Sequence, residues 1–262
     1  MKIVTRVDHP ELQDEAATVF RERWPEFIFH DDVPKKYLGR VEEHFSFFDV
    51  MALGDGGAVL AGGWGVPLAW DGTVEDLPTG YDGALVRAVE GYEAGKEATT
   101  LSFMAAAVGA AHDKRGLATA VLQELTRRAY SKGLVNVIAP LRPTWKHRYP
   151  TVPMAEYAGW KRPDGLSIDP WIRTHQRMGA RILAPAAESM VIAGTVAEWE
   201  SWTGMVFPVT YDYVVPDALN LVSVDVERDH GVYVEENLWV QHTGFFPDAS
   251  AVSMNVDRVR RP

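Results

Sequence analysis

One stretch limits the fold more than any other. From Ala98 to Leu141 the chain reads as a buried strand, a loop of small residues, a helix and a second short strand. Ala98 to Val108 is almost continuously apolar or small, as a strand covered on both faces is. Gly116 to Lys132 then carries Leu117, Val121, Leu125 and Ala129 at i, i+4 spacing, and Gly133 supplies the residue that ends a helix. Leu134 to Leu141 is apolar again. Strand, loop, helix, strand is the crossover unit that joins parallel strands, so the fold class is α/β.

The flanking sequence builds outward from this unit. Lys2 to Val7 alternates, Pro10 suits a first helical turn, and Leu12, Ala16, Val19, Phe20 and Trp24 share one helical face. Pro34 opens a second helix holding Tyr37, Leu38, Val41, His44 and Phe45 on one side. Phe47 to Leu53 and Ala58 to Trp70 are apolar runs joined by Asp55-Gly56-Gly57, a hairpin signal. Residues 71–97 read as an insertion with one helix, its apolar side being Leu85, Ala88, Val89 and Tyr92.

Beyond Arg142 a proline-punctuated stretch, RPTWKHRYPTVP, precedes a helix over Asp169 to Met178. Ser189 to Ala193 is a strand candidate, Thr195 caps a short helix with Trp199 and Trp202, and Leu219 to Val226 and Gly231 to His242 alternate. The expected organisation is one domain over 1–194 with a C-terminal extension, 195–262, packed on it. Val252 to Pro262 ends it as a loose tail. Trp199, Trp202 and Trp239 fill a core or a subunit contact, the latter fitting a homodimer.

Composition narrows the function. Acidic residues outnumber basic ones 36 to 26, and the basic residues form no run beyond the Arg258, Arg260, Arg261 tail. Nucleic acid and anionic membrane are therefore poor partners. There is no cysteine, which removes disulfides, thiolate metal sites and a thiol nucleophile. Eight histidines show no His-x-x-x-His spacing, so no metal is expected. Gly-x-Ser-x-Gly is absent, and the glycine-rich GDGGAVLAGGWG lacks the lysine of a phosphate loop. The N-terminus turns acidic before any apolar run develops and no segment reaches the roughly 20 apolar residues of a membrane span, so a cytoplasmic protein is expected.

The chemistry sits in FMAAAVGAAHDKRGLATAVLQEL. A strand ends at Val108, and Gly116, Leu117, Ala118 and Thr119 open a helix whose first N–H groups lack intrahelical partners. With Lys114 and Arg115 beside it, this is a seat for a pyrophosphate. Spacing alone fits a basic-capped amphipathic helix equally well. The segment resembles the acyl-CoA-binding motif of the GNAT superfamily of N-acetyltransferases, Val-x-x-x-x-Gln/Arg-x-x-Gly-x-Gly/Ala. Val108, Gly116 and Ala118 match it, and Asp113 stands where the family has Gln or Arg.

The resemblance covers roughly Met1 to Gly194 and implies a mixed, mostly antiparallel central sheet flanked by helices. It also implies direct transfer of an acetyl or other short acyl group from acetyl-CoA, or a related acyl-CoA, to the amine of a small molecule, without metal. In that family the motif strand splays from its neighbour and bonds the pantetheine arm, a role that falls here on Ala106 and Val108. A tyrosine four residues before a glycine often protonates the thiolate. In DPWIRTHQRMGARIL the glycine is Gly179 and the tyrosine position is His175, which can protonate a thiolate or deprotonate an ammonium. Tyr149 is a second catalytic candidate, and Trp145 and His147 on the same loop are acceptor-binding candidates. A non-catalytic acyl-CoA-binding module of the same fold is the alternative.

Overall fold

A computed structural model describes residues 1–112 and 115–243 of the chain. The elements run β1 (Lys2–Thr5), α1 (Gln13–Arg21), α2 (Asp32–Phe45), β2 (Asp49–Leu53), β3 (Val59–Leu68), α3 (Tyr81–Glu93), β4 (Thr100–Val108), α4 (Leu117–Ser131) and β5 (Asn136–Leu141). They continue with α5 (Met154–Ala158), α6 (Pro170–Arg177), β6 (Ala180–Gly194), α7 (Val196–Thr203), β7 (Tyr211–Tyr213), β8 (Val222–Asp225) and β9 (His230–His242). All nine strands form one sheet of order β1-β2-β3-β4-β5-β9-β8-β7, with β6 on the other edge of β9. Only β4 and β5 run parallel; the other pairs are antiparallel. No described helix is long and apolar enough to cross a membrane.

Local chemistry explains the central hairpin and its cover. Gly57 at φ 85° lets its N–H donate to Gly54 C=O at 3.0 Å, closing the turn between β2 and β3. In β3, a Cβ on Gly62 lies 3.0 Å from the Phe20 ring of α1, whereas one on Gly63 lies 2.5 Å from Val121 of α4. Alternation therefore puts α1 and α4 on opposite faces, and the bare backbone lets both approach. Leu117, Val121, Leu122, Leu125 and Ala129 form the buried stripe of α4, as its spacing predicts.

The C-terminal third is woven into this sheet. β9 pairs with β6 from Ala180↔His242 to Gly194↔Gly231, while its opposite edge pairs with β5 and then β8. A boundary at residue 194 thus cuts between neighbouring strands of one sheet. Residues 244–262, including the expected tail, lie outside the described residues. Trp199 and Trp239 are core residues, and the indole of Trp239 donates to Pro78 C=O at 3.1 Å. The inserted helix α3 buries Ala84, Leu85, Ala88 and Val89, but Tyr92 is 55% exposed instead of sharing that side. Leu38 of α2, expected on the apolar face, is also exposed.

Candidate active site

The site begins where β4 and β5 part. They pair at only three positions, Thr100↔Asn136, Leu101↔Val137 and Ser102↔Ile138, and β5 then turns its pairing to β9. Past that point β4 carries a bulge at Met104, where its pairing with β3 skips from Trp64↔Ala105 to Gly65↔Phe103. Gly109 N–H donates to Leu60 C=O at 2.9 Å, which fixes the phase of the ladder. Ala105 and Ala107 are then the bonded pairs, and the main-chain groups of Ala106 and Val108 point away from β3 into the gap. The Val108 carbonyl already accepts Arg23 Nε at 2.6 Å, so its N–H is what the gap receives.

Across a short loop, Gly116 adopts φ 75°, and no side chain among the described residues caps α4. Ala120 N–H reaches Gly116 C=O at 3.0 Å, leaving the N–H groups of Leu117, Ala118 and Thr119 without intrahelical acceptors. A Cβ on Gly116 meets nothing within 4 Å. Arg115 is exposed with its guanidinium 3.3 Å from His112 Nδ1, and the Leu117 side chain is buried in the core. Lys114 and Asp113 lie outside the described residues.

A cavity of about 1330 Å³ continues from this helix start through the gap. Ala106, Val108 and Arg115 through Thr119 line one part, and Trp145, His147, Trp171 and His175 line another. Asp169 sets the second group: its carboxylate accepts Trp145 N–H at 2.7 Å, the Tyr157 hydroxyl at 2.9 Å, and Trp171 and Ile172 N–H at 2.8 and 3.1 Å. One buried carboxylate therefore caps α6 and pins the loop carrying Trp145 to it. His147 Nδ1 lies 2.9 Å from Thr144 C=O.

His175 is buried, its Nδ1 2.9 Å from His242 Nε2 and its Nε2 without a partner among the described residues. Burial, and then the adjacent His242, push its pKa well below the ordinary imidazole value. Burial likewise lowers His242, to about 4, against the opposing pull of the Met178 main chain. Both rings are uncharged at neutral pH. Tyr149 does not line the cavity: its ring packs on Tyr157 and Trp160, with centroids 6.0 and 5.0 Å away. The proline-rich loop turns it to that aromatic cluster instead of the gap.

Sequence reading missed a polar group on the same cavity wall. Arg142, at the end of β5, donates through Nε to Glu235 at 2.9 Å and through Nη2 to Asp217 C=O at 2.6 Å. Glu235 also accepts the Tyr233 hydroxyl at 2.8 Å and Asn237 Nδ2 at 2.9 Å, and Asn237 Oδ1 accepts Ser189 Oγ at 2.6 Å. The Glu235 side chain is fully buried. The available signal was period two: Tyr233, Glu235 and Asn237 put three polar groups on one face of β9.

No protein-family model matches the chain. An arginine N-acetyltransferase of Aspergillus versicolor is 32% identical over 247 residues, covering 84% of this chain and 84% of its own. The chain belongs to the GNAT superfamily of N-acetyltransferases. It is an N-acyltransferase that moves an acyl group from an acyl-CoA donor to the amine of a small molecule. The GNAT fold also appears in the comparison with solved structures. The loading GNAT-like domain of CurA from Lyngbya majuscula superposes with a TM-score of 0.58 at 14% identity, over 92% of this chain and 96% of its own. The GNAT-like decarboxylase GphF, solved with isobutyryl-CoA, gives 0.50 at 16% identity, over 93% and 99%.

Proposed function

We propose that this GNAT enzyme transfers an acetyl group from acetyl-CoA to arginine or a closely related amino acid. The observation carrying the proposal is the continuity of the β4–β5 gap with the start of α4, which no side chain among the described residues caps. The pyrophosphate sits on the N–H groups of Leu117, Ala118 and Thr119, with Gly116 keeping the backbone accessible and Arg115 adding positive charge; Lys114, expected from the sequence to add to it, lies outside the described residues. The pantetheine arm lies along Ala106 and Val108 like an added strand. The acceptor enters beside Trp145 and His147, and the arginine N-acetyltransferase relative supports its class.

The amine attacks the thioester carbonyl, a C–N bond forms, and the C–S bond breaks as the tetrahedral intermediate collapses. Holding the two reactants together supplies most of the acceleration, about 7–11 kcal/mol in well-oriented systems. His175 takes the proton released by the amine at Nε2: burial keeps the imidazole in its proton-accepting form, and that atom has no partner among the described residues. Solvent protonates the departing thiolate. Use of acyl-CoA makes the cytoplasm the compartment of the reaction.

Thiol release from acetyl-CoA is measured against a panel of amines, with the product identified by mass spectrometry. Arginine accelerates release and emerges one acetyl unit heavier, and His175→Ala lowers kcat roughly 10²-fold with CoA affinity retained. Thiol release that no amine accelerates overturns the reading.

A further inference from the structure

We infer that Arg142 is the carboxylate-recognition residue of the acceptor site, so that the enzyme selects amines bearing a carboxylate; this rests on the amino-acid acceptor proposed above. Arg142 stands at the C-terminal end of β5, where the gap opens, and lines the cavity. Two contacts hold its guanidinium in one orientation, Nε on Glu235 and Nη2 on the Asp217 carbonyl. Nη1 has no partner among the described residues. Its side chain is 18% exposed, whereas that of Glu235 is 0% exposed.

The difference in exposure gives the pair a direction. Glu235 spends its oxygens inside the protein on Arg142, Tyr233 and Asn237. Asn237 is in turn tied to Ser189, whose hydroxyl oxygen receives Tyr81 N–H at 2.8 Å. What the cluster offers the cavity is therefore the Nη1 donor hydrogens of a guanidinium that Glu235 and the Asp217 carbonyl hold rigidly, the planar donor geometry that recognises a carboxylate. Asp217 also lines the cavity, and its carboxylate has no hydrogen bond among the described residues. It supplies the opposite charge for the cationic part of the same ligand. An amino acid carries both signs; an amine lacking the carboxylate leaves the Nη1 hydrogens of Arg142 without an acceptor.

The test compares arginine with agmatine, which is arginine without its carboxylate. Turnover with acetyl-CoA and calorimetric binding to the CoA-loaded protein are both measured. Wild type is expected to prefer arginine by roughly 10- to 100-fold in kcat/KM and in affinity, mostly through KM. Arg142→Met should bring the arginine-to-agmatine ratio close to one. Since that variant strands the buried Glu235 charge, Arg142→Met with Glu235→Gln is run beside it, with thermal melting as the check on folding. Arg142→Lys should recover part of the preference. Equal use of the two amines by wild type, or an undiminished preference in a folded Arg142 variant, overturns the inference. So does an Arg142 effect confined to carboxylate-bearing acyl-CoA donors such as malonyl-CoA, which moves the carboxylate to the donor side. Absence of any turnover sinks the acyl-acceptor reading alone, because the binding arm still decides the role of Arg142.

Discussion

Two acids, the buried Asp31 capping α2 and the half-buried Asp82 in the first turn of α3, show how single residues set the pH response. Asp31 caps α2 by accepting Val33 N–H at 2.9 Å through Oδ1, and its Oδ2 has no donor. Asp82 Oδ1 is likewise buried without a donor. Each carboxyl bears on the titration of the other, and a proton shared between them is the prediction that Asp82→Asn tests. Burial, and then the charge of Asp31, raise the Asp82 pKa to about 8, and burial raises Asp31. The protonated form is the one the fold prefers. Its stabilisation is full below the ordinary carboxylate pKa near 4 and is lost as pH climbs through about 8. Asp82→Asn, which mimics the neutral acid, should melt higher than wild type at pH 8 and by a smaller margin at pH 5, as differential scanning calorimetry can show. The same margin at both pH values contradicts the shared proton. His242 acts oppositely: its lowered pKa gives stability above pH about 6.5 that is lost as pH falls through about 4.

At the scale of elements, the loop–helix join at Asp169 does two jobs. Its carboxylate receives four hydrogen bonds, so Asp169→Ala removes the α6 cap and leaves the Tyr157 hydroxyl and Trp145 N–H unmatched. The expected cost is about 2 kcal/mol or more in urea unfolding. A rise in acceptor KM with little change in CoA affinity should accompany it, because Trp145 is released while α4 is untouched. Unchanged acceptor KM in a folded variant would separate the loop from acceptor binding. Helices were the most legible elements, since spacing near 3.6 marks the buried stripe of α4. The misplaced residues, Leu38 and Tyr92, sit at stripe edges, where an apolar side chain can pack sideways: Tyr92 meets Phe45 edge-on at 5.4 Å. β6 was read as Ser189 to Ala193 but spans Ala180–Gly194. Its register slips between Ile182 and Ala184 and again between Ala186 and Met190, which erases the period-two pattern.

Across the whole molecule, β9 joins what sequence order separates. It lies between β5 and β6, so residues over 230–242 complete the cavity wall begun by β4 and α4. The geometry proposed for the phosphate end was legible because it is local: strand end, small loop, glycine and helix start fall within one short segment. The Arg142–Glu235 pair proposed for the acceptor end was not, because the two meet from positions 93 residues apart and neither has a local motif. The central claim is that the α4 start at Gly116 seats the diphosphate of CoA at the mouth of the β4–β5 gap. Calorimetric titration of CoA into wild type and Gly116→Glu tests it most directly, with melting curves to confirm that both fold. The account predicts saturable heat for wild type and none for the variant, whose carboxylate repels the diphosphate at an otherwise open position. Equal CoA binding by the two proteins would contradict it.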